Sequence, residues 1–259
     1  MLKTFCEISI NHIDSELHHG GTIRHRNHSI HELYDKNAQA GGNTASTNNI
    51  LYNYGGRVLT GTTKVYLLFY GTWTSTQINI IRTFVSTVGT TNWFNIEKTY
   101  YYQAASGSSI VNTAGPLTLG GAWTLDYIYG TQLTGTNIPD AFSNYISQGQ
   151  LPDDPNGIYL WLSSADVSES NSWGESFLQN YCGYHSTFPI ESTQYIYGFI
   201  GNPKTTYGCN PYFQTVSPNS ELGVDAMVSV IAHEIVEAMS DSLGNAWYDS
   251  TGDENGDKW

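Results

Sequence analysis

Lys64–Tyr70, KVYLLFY, followed six residues later by Gln77–Val88, QINIIRTFVSTV, sets the fold class. The first run is too apolar to be half exposed and reads as a strand buried on both faces. The second places Ile78, Ile81, Phe84 and Val88 at helical spacing, with Thr74 or Ser75 as its cap. A buried strand feeding directly into a helix is the unit of an α/β layer. Gly157–Ser163, GIYLWLS, and Gln194–Ile200, QYIYGFI, repeat the strand pattern. Asn137–Gly149 repeats the helical one, with Pro139 in its first turn. Trp93–Tyr102 reads as a helix end or loop that runs into a tyrosine strand. The expectation is a single α/β domain in which a mixed sheet backs helices.

The last of these helices carries chemistry. In Asp225–Ser240, Met227, Ile231, Ile235 and Ala238 recur at spacings of three and four, and no Gly or Pro interrupts them. Asp225 is a candidate N-cap, and Gly244 with Asn245 a candidate stop. On this helix His233 and Glu237 project from one face, and Glu234 lies about 100° round from His233. In H-E-x-x-H zinc peptidases the same spacing puts two histidines on the metal and the intervening Glu beside the attacked water as general base. Here Glu237 stands at the second position, and a carboxylate oxygen is an ordinary zinc ligand too. The helix is therefore zincin-like, with His233 and Glu237 as ligands and Glu234 as the catalytic base.

H-E-x-x-E also occurs by chance on solvated helices. Ile231, Ala232, Ile235 and Val236 surround His233 with apolar groups, however, and buried charges are costly unless paired or coordinated. A dozen residues on, the loop DSTGDENGD (249–257) supplies more carboxylates. Glu254 and Asp257 are the candidates for a third ligand, with Asp249 or Asp241 as substitutes. One His with several carboxylates suits a catalytic zinc or a harder ion, and calcium is the rival because the loop loosely follows a calcium-loop composition.

Composition bounds the setting. The 259 residues are 39% hydrophobic and only 13% charged, with 26 Gly and 19 Tyr, so one sizeable core is affordable and the surface is mostly neutral and polar. A formal net charge of -13 excludes nucleic acid and anionic membrane as natural partners. No stretch approaches the roughly twenty apolar residues of a transmembrane helix. MLKTFCEISINHI is broken by Lys3, Glu7 and Asn11 and is no signal-peptide core, so a secreted chain would be a processed or partial one. Residues 1–54 read as a polar, His-rich N-terminal extension, with His12, His18, His19, His25, His28 and His31 irregularly spaced; self-assembly through this arm is an expectation. Cys182 and Cys209 lie in Gly- and aromatic-rich loops and are placed to close a disulfide in an oxidising compartment, or to remain two buried thiols; Cys6 is left over.

Several ordered motifs carry a resemblance. GGRVLTGTTKVYLLFYGTWT, GIYLWLSSADV, CGYHS, YGFIGNP, CNPYF and VDAMVSVIAHEIVEAMSDSLGNAWYD together resemble the phosphate-induced protein, or exordium-like, family from about Gly55 to the C terminus. The resemblance implies an exordium-like domain over residues 55–259, an extracellular location, and the pairing of Cys182 with Cys209. Plant members, which are wall-associated and have no established enzymatic activity, look degenerate at HEIVE and NAWYD. Microbial relatives share the His-Glu helix and the acidic loop, ending in an Asp-Lys-Cys type sequence. This chain ends Asp257-Lys258-Trp259, as a truncated C terminus or a lost bridge would. His185 in CGYHS is a further candidate, as a loop histidine serving as second imidazole ligand, oxyanion stabiliser or structural hydrogen-bonding group.

Three functions follow. The first is a secreted zinc-dependent hydrolase acting on peptide or extracellular-matrix substrates. The second is a non-catalytic matrix or cell-wall protein with structural calcium or no metal. The third is a carbohydrate-binding module using Trp73, Trp93, Trp123 or Trp173.

Overall fold

The computed structural model describes residues 29–32, 49–113, 115–172, 174–210 and 217–258, with backbone only for 29–32 and 207. Cys6, Trp173 and all but one of the clustered N-terminal histidines lie outside the described residues; of His31 the backbone is described. The chain runs β1 (Ser29–Glu32), β2 (Leu51–Tyr52), β3 (Thr63–Tyr70), α1 (Ser75–Thr87), β4 (Tyr101–Gln103), β5 (Ile110–Asn112), β6 (Leu117–Leu125), β7 (Gln132–Thr134), α2 (Asn137–Ser147), β8 (Ile158–Ser163), β9 (Ser168–Ser170), β10 (Tyr181–Ile190), β11 (Thr193–Gly201), α3 (Leu222–Ser240) and β12 (Trp247–Tyr248).

Six of these strands form one mixed sheet in the order β1-β10-β11-β8-β3-β6. β11, β8, β3 and β6 are parallel, and β10 and β1 extend them antiparallel. The strand period of two sends successive side chains to opposite faces, and the two faces differ in chemistry. Val65, Leu67 and Phe69 of β3, with Ile158, Leu160 and Leu162 of β8, pack under α1 and α3 in an aliphatic layer. Tyr66, Leu68 and Tyr70, with Tyr159, Trp161, Tyr197 and Phe199, pack under α2 in an aromatic one. Strands buried on both faces have to read as continuous apolar runs, which is why KVYLLFY and IYLWLS carry no alternation.

Local chemistry sets the helix ends. Thr74 caps α1: its hydroxyl accepts from the Gln77 N–H at 3.2 Å, and Gln77 Oε1 accepts from the Thr74 N–H at 3.1 Å. α3 starts three residues before the expected Asp225, whose carboxylate instead holds the preceding turn by accepting from Asn219 N and Nδ2 at 3.0 and 2.6 Å. It ends at Asp241. That side chain accepts from the N–H groups of Asn245 and Ala246 at 2.5 and 2.6 Å, while Gly244 takes a φ of +63°.

One expectation needs correction. CGYHS is not a loop but the start of the ten-residue β10, so His185 sits on a strand. Gly183 marks a close approach of helix to sheet there, because a Cβ would meet Val230 Cγ1 at 2.6 Å and Phe199 O at 2.8 Å. β6 was likewise unanticipated, since Gly120 and Gly121 break its apolar pattern where the Tyr66 and Trp123 rings lie across the backbone. Cys182 and Cys209 form a disulfide with Cα atoms 5.2 Å apart. Ahead of Gly55, Leu51–Tyr52 pairs with Trp247–Tyr248, and Ser29–Glu32 pairs along Tyr181–His185. Trp73, Trp93 and Trp123 are partly buried against the two layers rather than arrayed on the surface.

Candidate metal centre

α3 lies against β10 with nearly all of its residues buried, including the charged ones. His233, Glu234 and Glu237 therefore face the narrow space between helix, strand and C-terminal loop, where their charges are far from water. Glu237 stands between two histidines. Its Oε1 is 3.0 Å from His233 Nε2, and its Oε2 is 3.6 Å from His185 Nδ1. Glu234, 0% exposed, reaches the same His185 Nδ1 with Oε2 at 3.1 Å. Asp257 comes in from the loop with Oδ1 3.5 Å from His233 Nε2.

The loop is shaped to deliver Asp257. Asp249 folds it, its Oδ1 accepting from the N–H groups of Thr251, Gly252 and Asp253 at 2.7, 2.9 and 3.0 Å. Burial tends to raise the Asp249 pKa, but the Lys258 ammonium at 2.5 Å and these donors reverse that and hold it well below the usual range. Asp257 Oδ2 accepts from the Glu254 N–H at 2.8 Å. Gly256 lets the loop touch the helix, since a Cβ there would lie 2.8 Å from Glu237 Oε1.

Among the described residues, two sets of three side chains place ligand atoms within 4.8 Å of one another: His185, Glu234 and Glu237, and His233, Glu237 and Asp257. Of the residues expected at the site, His233, Glu234, Glu237, Asp257 and His185 are thus brought together. Glu254 is buried but in neither set, and Asp249 and Asp241 spend oxygens on loop backbone. One residue had no visible signal in the sequence. Glu97, in a 3-10 turn, is 1% exposed and accepts from Asn255 Nδ2 at 2.9 Å, steadying the loop two residues before Asp257. Burial raises its pKa well above the ordinary carboxylate value, and the hydrogen bond from Asn255 offsets part of that rise.

The electrostatics fit a cation. Burial pushes the Glu234 carboxyl up to about 8, His233 pulls it down, and Asp257 raises it further. Glu234 Oε1 is buried with no hydrogen-bond partner, a costly state that a bound cation would relieve. Two imidazoles with three carboxylates form an N/O donor set suited to Zn²⁺ or a similar divalent ion.

Comparison with known proteins bears on most of the chain. Over 219 residues it is 32% identical to Protein EXORDIUM-like 3 of Arabidopsis thaliana, covering 74% of this chain and 62% of that protein. Protein EXORDIUM-like 5 of the same plant is 27% identical, with 76% and 59% covered. Protein PHOSPHATE-INDUCED 1 of Nicotiana tabacum is 24% identical, with 80% and 69% covered. The chain thus spans about three fifths of the length of the two Arabidopsis relatives. No solved structure matches it. The family model for the phosphate-induced protein 1 conserved region matches residues 51–257, from β2 through the acidic loop, and the chain belongs to that family.

Proposed function

We propose that this protein is a secreted, divalent-metal-dependent hydrolase of peptidase type, with zinc as the first candidate ion. The convergence of His233 Nε2, Glu237 Oε1 and Asp257 Oδ1, with Glu234 on the adjoining helix position, carries this reading. Those three atoms hold the ion, and Asp257 takes the third place that the sequence left open between it and Glu254. A divalent ion there supplies Lewis-acid polarisation of a carbonyl and acidification of water. Glu234 accepts the proton, and His185, 3.1 Å away, fixes the orientation of its carboxylate. The zincin-like character of α3 belongs to this proposal, as does the likeness to microbial members of the family. The Cys182–Cys209 disulfide supports an oxidising, extracellular compartment. No helix among the described residues is long and apolar enough to cross a membrane.

The test pairs metal content with turnover on a panel of peptides and esters. Glu234→Gln keeps the ion and loses at least 100-fold in kcat, the scale of a removed general base. Retained hydrolysis in that variant ends the mechanism.

A second reading is favoured by the burial of the centre: no side chain of the two sets is more than 8% exposed. A closed site of this kind suits a structural ion, calcium included, in a non-catalytic matrix or wall protein. Under that reading a chelator lowers the melting temperature and no substrate of the panel is turned over.

A further inference from the structure

We propose that the centre takes two divalent ions, the second held by His185, Glu234 and Glu237, with Glu237 as the shared bridge. This rests on the reading of a first ion at His233, Glu237 and Asp257. The two oxygens of Glu237 face different imidazoles, Oε1 toward His233 and Oε2 toward His185. That is the disposition of a bridging carboxylate, which spans ions about 3.5–4 Å apart in two-metal sites. The second set is complete by itself: His185 Nδ1, a Glu234 oxygen and a Glu237 oxygen lie within 4.8 Å of one another.

An observation independent of the acidic cluster points the same way. Glu234 is 0% exposed, and its Oε1 has no hydrogen-bond partner although it belongs to the carboxylate that reaches His185. An uncompensated buried oxygen beside an imidazole nitrogen asks for a cation. The imidazole at each position favours a zinc- or manganese-type ion over calcium, which takes oxygen ligands. Glu234 offers its unpartnered Oε1 to the second ion.

The experiment uses the full chain, stripped with chelator, dialysed and titrated with Zn²⁺ by calorimetry, with metal content measured on the loaded protein. Two ions per chain are expected, with a zinc–zinc vector of about 3.5–4 Å in X-ray absorption. His185→Gln should drop the count to one, and the wild-type stoichiometry stands without that variant should it fail to fold. A wild-type count of one overturns the second position and leaves the first ion intact. Two ions without the short vector also overturn it, because the second then binds elsewhere. No bound ion overturns both readings.

Discussion

Gly256 illustrates how a residue without a side chain governs one that has chemistry. It stands next to Asp257 in the loop, and its missing Cβ leaves the place where Glu237 Oε1 approaches. Gly256→Ala would put a methyl 2.8 Å from that oxygen, so the loop backs away and carries Asp257 with it. The expected result is a folded protein whose first-ion affinity falls about tenfold or more, equivalent to about 1.4 kcal/mol. Calorimetry on the stripped protein measures this, and an unchanged affinity would remove Asp257 from the ligand set. The same scale shows what a sequence can disclose about a site. His233, Glu234 and Glu237 were legible because helical spacing fixes their relative directions whatever the helix packs on. The choice between Glu254 and Asp257 was not, since it depends on the hydrogen bonds that Asp249 makes to loop N–H groups. Glu97 gave no signal, because its role exists only through Asn255, 158 positions away.

At the scale of elements, β10 shows why glycine misleads a linear reading. Strands β3, β8 and β11 announce themselves by unbroken apolar runs, but β10 mixes glycine, histidine and serine and reads as a loop. In three dimensions those residues are matched to α3. Gly183 admits Val230, and two positions on, in the same face, His185 meets Glu234. Gly183→Ala would set a Cβ against Val230 Cγ1 at 2.6 Å and the rigid Phe199 carbonyl at 2.8 Å. Overpacking of this kind costs about 1–3 kcal/mol, and it also tilts α3 away from His185. Urea unfolding should report that loss, together with weaker metal binding. Gly61→Ala is the control: its φ of +79° makes it strained, yet nothing lies within 4 Å, so it should lose stability without touching the ion. If both variants bind metal equally well, the coupling of β10 to the centre is absent.

At the scale of the molecule, the sheet separates two buried acidic systems among the described residues. The His233, Glu234 and Glu237 cluster lies on the aliphatic side, and Glu169 lies on the aromatic side with both oxygens taken by the phenols of Tyr181 and Tyr184. Burial raises the Glu169 carboxyl, the two phenols lower it in part, and it comes out at about 7 against an ordinary 4.5. Below about pH 4.5 Glu169 is protonated in both folded and unfolded chains. Between about 4.5 and 7 the unfolded chain ionises while the folded one holds its proton, so the folded state binds more protons and stability falls as pH rises. Above about 7 both forms are ionised and the loss levels off near about 3 kcal/mol. Glu97 and unloaded Glu234 are raised too and slope in the same direction, so the wild type alone cannot isolate the effect. Glu169→Gln keeps a neutral group of the same shape between the phenols. The difference in unfolding free energy between the two proteins should therefore move in favour of the variant from pH 4.5 to 7 and stay flat above. Denaturant titrations at four or five pH values with chelator present measure it. A difference independent of pH would mean that Glu169 ionises normally and that water reaches the aromatic layer beside it.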